Sequence, residues 1–262
     1  MLPLSDRQNE ILSLARTIGR VGVDELAARF EVTPQTIRRD LNELCDQNIL
    51  SRTHGGAVVS SSVENLSYEA RRQIAAEAKH VIGAAAAELI PDNSSLFINI
   101  GTTTEEVARA LISRKDLLVI TNNINVALTL YRHPSFEVVI AGGPVRHSDG
   151  AIVGSAAVDH IRQFKVDTAV IGASAIDEDG SLLDFDPLEV NVSRAIIENA
   201  RRVILVCDQM KIARAAPVRI GHMAQIDAFV TDCLNSDRLR AVCAEHGVTV
   251  IEALLESRRA SD

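Results

Sequence analysis

Four glycine- or hydroxyl-rich turns recur between residues 101 and 174, each following a run of β-branched residues. They are Gly101-Thr102-Thr103-Thr104, Thr121-Asn122-Asn123, Ala141-Gly142-Gly143 with Arg146 close behind, and Gly172-Ala173-Ser174. Glycine lets the backbone turn sharply, and hydroxyls with exposed N–H groups can cradle an anion at a helix N-terminus. In open α/β sheets ligands bind outside the carboxyl ends of the strands. Converging turns of this kind predict a pocket for a small phosphate ester, lined by Gly101, Thr102, Thr103, Thr104, Asn122, Asn123, Gly142, Gly143, Arg146, Gly172 and Ser174. Lys211 follows another strand end and is a candidate phosphate partner. In the acidic stretch 177–186, Asp177 to Asp179 read as a solvated loop and Asp184 as a ligand or interface residue. No Walker loop or complete G-x-G-x-x-G fingerprint is present, so no nucleotide cofactor is implied.

A second constellation lies near the N-terminus. Thr33 and Pro34 suit the N-cap and first position of a helix. Behind them Ile37, Leu41 and Leu44 mark one face, while Gln35, Arg38, Arg39 and Asn42 stand at i, i+3, i+4, i+7 on another. A recognition helix needs this division: one stripe packs inward, the other presents donors to base edges and phosphates. Thr33, Gln35, Thr36, Arg38, Arg39 and Asn42 are therefore candidate DNA contacts. Arg52 and His54, on a hairpin around Gly55-Gly56, are candidates on a wing. Asp40, Glu43 and Asp46 share the helix, which predicts a narrow positive face and weak DNA binding by a single copy.

The elements that must position these groups are legible from periodicity. Residues 1–59 read as a compact helical unit ending in a hairpin, with Ile11, Leu14, Ala15 and Ile18 on one face of the first helix. Residues 60–69 read as a Ser-rich linker, followed by one long helix over 70–90. From there to about 255, runs at Leu96–Ile100, Leu117–Thr121, Glu137–Ala141, Thr168–Ile171, Val203–Cys207, Ala228–Thr231 and Val248–Ile251 alternate with helical segments. That alternation predicts an α/β domain with a largely parallel sheet.

Composition narrows the function classes. Of 262 residues 47% are hydrophobic and 24% charged, ordinary for a chain that buries a real core, and the net charge is −8. That charge excludes a protein coated in positive charge for non-specific nucleic-acid binding. No membrane span or signal peptide is expected, which points to the cytoplasm. Cys45, Cys207, Cys233 and Cys243 form no C-x-x-C pair, the pattern of small buried residues in a reducing compartment. No metal site is expected.

The segment Val32 to Leu44 with Arg52 to Ala57, together with Phe97 to Thr104, Thr121 to Asn123 and Ala141 to Gly143, resembles DeoR-type repressors over roughly residues 5–251. The resemblance implies a winged helix-turn-helix and a larger Rossmann-like sensor domain related to ribose-5-phosphate isomerase. It also implies an oligomer, dimer or tetramer, that represses operons for sugar or polyol use. The stretches 176–186 and 194–201 are especially similar to a branch induced by sn-glycerol 3-phosphate. By this resemblance Gly101 to Thr104 hold the phosphate, Asn122, Asn123, Gly142 and Gly143 line the pocket, and Lys211 assists. Another sugar phosphate is the alternative effector. An isomerase activity is the alternative function, but no second Gly-rich loop with an embedded Lys and Glu is present, so an enzyme is not expected. Ile212-Ala213-Arg214 departs from the family, which commonly has an aromatic and then glycine after the lysine.

Overall fold

The computed structural model describes residues 4–18, 20–46, 50–53, 55–59 and 68–253. The chain divides into two units, Met1–Ile74 and Ala75–Asp262. Residues 70–74, expected at the start of the sensor domain, thus group with the first unit.

In the first unit α1 is Asp6–Ile18, β1 Arg20–Gly22, α2 Val23–Arg29, α3 Pro34–Asp46, β2 Leu50–Thr53, β3 Gly56–Val59 and α4 Tyr68–Gln73. The amphipathic stripes of the three leading helices meet in one core of Ile11, Ala15, Leu26, Ile37, Leu41 and Leu44, closed by Val21, Leu50 and Ala57 from the strands. The wing is a three-stranded antiparallel sheet in the order β1-β3-β2, not a hairpin alone. β1 is not expected from the sequence, because a three-residue strand that itself ends in glycine carries no alternation to read. Gly56 is where this strand matters: a Cβ there would lie 2.0 Å from the carbonyl oxygen of Val21. Gly56→Ala should therefore lift β1 from β3 and destabilise the unit by about 1–3 kcal/mol, the usual range for overpacking. A thermal unfolding midpoint equal to the wild type's would show that β1 does not pack this closely in solution.

The helix expected over 70–90 is two helices. α4 ends at Gln73, and Ala75 takes φ 52°, ψ 35°, a left-handed conformation that an alanine adopts only under strain. α5 then runs Ala76–Ala87.

The second unit continues with β4 Ser95–Ile98, α6 Thr102–Ala110, β5 Leu117–Thr121, α7 Ile124–Leu130, β6 Phe136–Ile140, α8 Ser155–Ile161, β7 Val166–Ile171, β8 Ala175–Ile176 and β9 Ser181–Asp184. After these come α9 Pro187–Glu198, β10 Ala200–Val206, β11 Val218–His222, β12 Ala228–Thr231, α10 Asp237–Glu245 and β13 Thr249–Glu252. The seven expected strands form one parallel sheet, in the order β13-β12-β10-β7-β4-β5-β6. Successive strand residues serve opposite faces. Phe97, Ala169, Ile171, Leu205 and Phe229 pack with α8, α9 and α10, and Leu96, Ile98, Val170, Ile204 and Val206 pack with α5, α6 and α7. Burial on both faces explains why these strands read as continuous apolar runs. A small antiparallel sheet, β11-β9-β8, was not anticipated. It makes the Asp177 to Asp179 stretch the exposed tip of a hairpin, closed by Gly180 at φ +88°.

Candidate functional site

In the first unit α3 starts as its residues dictate. The Thr33 hydroxyl accepts the N–H of Thr36 at 3.3 Å and lies 2.9 Å from the Thr36 hydroxyl, so both are engaged in the cap. Ile37, Leu41 and Leu44 are buried, while Gln35, Arg38 and Arg39 are exposed and Thr36 and Asn42 half-buried. Arg52 of β2 donates to the Asn42 side chain, which ties the wing to the recognition helix. His54 lies outside the described residues.

The acids of α3 divide by role. Asp40, expected to narrow the positive face, is 6% exposed and turned inward. It accepts Arg7 Nε at 2.6 Å and Nη2 at 3.2 Å, a two-pronged clasp of α1 onto α3. Sequence reading missed Arg7, since nothing in the local pattern links residues 33 apart. Glu43 does face outward, taking Arg39 Nε at 3.1 Å and Gln8 Nε2 at 2.7 Å. Among the described residues no carboxylate holds Arg38.

In the second unit the sheet order sets the place of a site. β4, β5 and β6 step one way from the centre, and β7, β10, β12 and β13 step the other. The reversal falls between β4 and β7, and open α/β sheets bind ligands beyond the carboxyl ends of the strands at such a reversal. The turns after these two strands meet there. Gly101 has φ 146° and ψ 149°, a region open essentially to glycine, and leads directly into α6. A Cβ on Gly172 would lie 3.9 Å from Thr104 Cγ2 and 3.7 Å from the Val206 carbonyl oxygen, so the β4, β7 and β10 ends are adjacent.

The individual roles are distinct. The Thr104 hydroxyl donates toward Asn99 O at 2.7 Å and Gly101 O at 2.8 Å, so it shapes the loop and is not displayed to a ligand. Thr102 and Thr103 lie in the first turn of α6, whose N–H groups have no intrahelical acceptor. Asn123 caps α7 by accepting Asn125 N at 2.9 Å, and donates to Glu105 Oε1 at 3.2 Å. Asn122 donates to Ile152 O at 3.2 Å, while its Oδ1 is buried with no partner among the described residues. Gly143 has φ +141°, and a Cβ there would meet Ile152 Cγ2 at 3.2 Å; Gly142 is exposed with nothing near it. Ser174 is buried, its N–H on Leu183 O at 3.0 Å.

Arg146 requires a correction. Expected to meet the effector, it is ion-paired to Asp149 at 2.6 Å, Asp186 at 2.6 Å and Glu189 at 2.8 Å. The hydrogen bonds that Arg146 donates to Asp149 raise its pKa furthest, with Glu189 adding to it. An anion would be repelled from this cluster, so Arg146 clasps its loop onto the start of α9. Arg146→Ala should lower stability by about 1–3 kcal/mol, less than for a fully buried pair because the side chain keeps 24% exposure. An unchanged unfolding midpoint would refute the clasp.

On the other flank, burial pushes the Cys207 thiol up to about 12, and Asp208, Lys211 and Asp184 all act on it electrostatically. Those three charged groups therefore converge at the end of β10. Asp184 is 4% exposed and accepts the Phe185 N–H at 2.7 Å. Lys211 is half-buried in the short turn Gln209–Lys211. Ala213 takes φ 57°, the conformation for which the family's glycine is suited. Sequence reading missed Glu105 and Asp208. Their burial, 3% and 1% exposed, is a tertiary property with no local signature.

Among the described residues no helix is long and apolar enough to cross a membrane. Residues 7–63 match the DeoR-like helix-turn-helix domain and residues 74–233 the DeoR C terminal sensor domain. The chain belongs to the DeoR family of helix-turn-helix transcriptional repressors. It is 46% identical to the glycerol-3-phosphate regulon repressor of Escherichia coli, over 93% of this chain and 97% of that one. Identity to the glycerol-3-phosphate regulon repressor of Haemophilus influenzae is also 46%, over 86% and 88%. The HTH-type transcriptional repressor CsqR of Escherichia coli is 40% identical over 94% of each chain. Among solved structures, ribose 5-phosphate isomerase A from Methanocaldococcus jannaschii overlaps 53% of this chain and 55% of its own, at 15% identity and a TM-score of 0.40, too remote to bear on function.

Proposed function

We propose that this repressor controls a glycerol or glycerol-3-phosphate utilisation regulon, and that sn-glycerol 3-phosphate releases it from operator DNA. The observation that carries the reading is the 46% identity to a repressor of that regulon across 93% of the chain. The strand reversal between β4 and β7 supports it, with the Gly101 to Thr103 amides as anion cradle and Lys211 as cation. Gln35, Arg38, Arg39 and Asn42 read the operator, and Arg52 backs them from the wing. The narrow cationic face supports action as a homo-oligomer, because one copy offers few contacts, and a repressor that meets operator DNA acts in the cytoplasm.

The mechanism is linkage. The effector binds more tightly to the form that holds DNA poorly, and its differential affinity sets the shift. A coupling of about 1–3 kcal/mol is typical. Operator affinity, measured with and without sn-glycerol 3-phosphate, should fall about 5- to 150-fold at saturation. If another sugar phosphate alone releases the DNA, the repressor mechanism stands with a different inducer. If no phosphate ester does, the sensor assignment is wrong.

A further inference from the structure

Among the described residues, two buried acceptors beyond the ends of strands flanking the reversal have no donor. Asn122 Oδ1 stands after β5 and Asp208 Oδ2 after β10. Asp208 is the more telling. It is 1% exposed, and its Oδ1 accepts the Met210 N–H at 3.1 Å, capping the turn that carries Lys211. The adjacent Gln209 gives both its backbone N–H and its Nε2 to Asp232, at 2.7 and 3.0 Å. A buried carboxylate oxygen without a donor is costly and asks for an explanation.

We propose that Asp208 reads a hydroxyl of the effector, which makes the site selective for a phosphorylated polyol over a bare phosphate. The inference rests on the effector reading above. An ionised carboxylate only accepts hydrogen bonds, so it repels the phosphate end and welcomes an O–H. The phosphate cradle follows β4, and Asp208 follows β10, two strands away across β7. Two strand spacings are roughly 10 Å. A hydrogen bond of about 2.8 Å at each end leaves a gap for a short carbon chain. The phosphate then sits at α6 and an alcohol at Asp208. Asn122 Oδ1, on the opposite flank, points independently to a ligand that brings donors, which a phosphate dianion does not.

The test is ligand affinity, followed by thermal unfolding and titration of the full chain with sn-glycerol 3-phosphate, propyl phosphate and inorganic phosphate. Propyl phosphate has the same carbon count and no hydroxyl. The wild type should prefer sn-glycerol 3-phosphate over propyl phosphate by about 10- to 100-fold, as expected for a hydrogen bond to a charged group. Asp208→Ala should erase that preference: loss of the Met210 cap disturbs the turn of Lys211 for both phosphate esters alike, so the ratio of the two affinities is the readout, and a cooperative unfolding transition without ligand controls for folding. A variant that keeps the wild-type preference overturns the assignment. So does a wild type that binds propyl phosphate as tightly as sn-glycerol 3-phosphate, even if the variant does not fold. A wild type stabilised by none of the three instead removes the glycerol-3-phosphate reading itself, and this assignment with it.

Discussion

Arg38→Ala lowers operator affinity about 10- to 100-fold, the loss of 1–3 kcal/mol expected when a bidentate base contact disappears. The expectation rests on what surrounds the side chain. Arg38 is exposed on α3, opposite the stripe of Ile37, Leu41 and Leu44, and among the described residues no carboxylate competes for it. Arg39 is placed differently. Its guanidinium is already on Glu43, and it must exchange that partner for DNA. Arg39, first, and then Gln8 hold the Glu43 carboxyl below its usual range. The pair is therefore intact at neutral pH and is lost only as the pH falls through that lowered value. Arg39→Ala should accordingly cost less than Arg38→Ala, and Glu43→Gln should strengthen binding by freeing Arg39 and removing a negative charge. Fluorescence anisotropy over a salt series checks all three. A base contact at Arg38 shows as a loss for operator but not for random DNA, whereas a phosphate contact weakens both and flattens the salt slope. Equal binding by Arg38→Ala and wild type would remove α3 as the reading element.

The second large effect is a repressor that binds but cannot be induced. Gly101 sits at φ 146°, ψ 149°, where a side chain costs about 1–3 kcal/mol. A Cβ there would also lie 3.2 Å from Thr104 Oγ1, the hydroxyl that pins the loop through Asn99 O and Gly101 O. Gly101→Val must rebuild the entry to α6 and with it the amide cradle. Wild-type protein at a hundredfold excess of effector over Kd should gain about 2.7 kcal/mol of stability. The variant should gain none, yet should hold operator DNA normally, because the substitution lies in the other unit. Release of Gly101→Val from DNA at wild-type effector concentrations would place the phosphate somewhere else.

Much of the architecture can be read from local pattern. The Thr33-Pro34 start of α3 and the division of that helix into Ile37-Leu41-Leu44 and Gln35-Arg38-Arg39-Asn42 are properties of neighbours in the chain. The seven strands are legible for the same reason, since burial on both faces leaves a continuous apolar run. Elements without such a run were missed. β1 is three residues long and exists through its pairing with β3, Arg20 opposite Val58. β8 and β9 are short and mixed, and β11 joins them from more than thirty residues away. The break at Ala75 was hidden because alanine-rich sequence favours helix on both sides of it.

The candidate site divides in the same way. Sequence alone determined that this chain carries a DNA-reading helix and a set of glycine and hydroxyl turns at strand ends, because residue type and spacing fix those local geometries. Only the tertiary structure decided which charges are available. Arg146 finds Asp186 and Glu189 forty and forty-three residues away and is neutralised. Asp40 is drawn inward by Arg7, and Asp208 is buried with one oxygen unanswered. Electrostatic partnership depends on distance in space, and chain periodicity does not encode it.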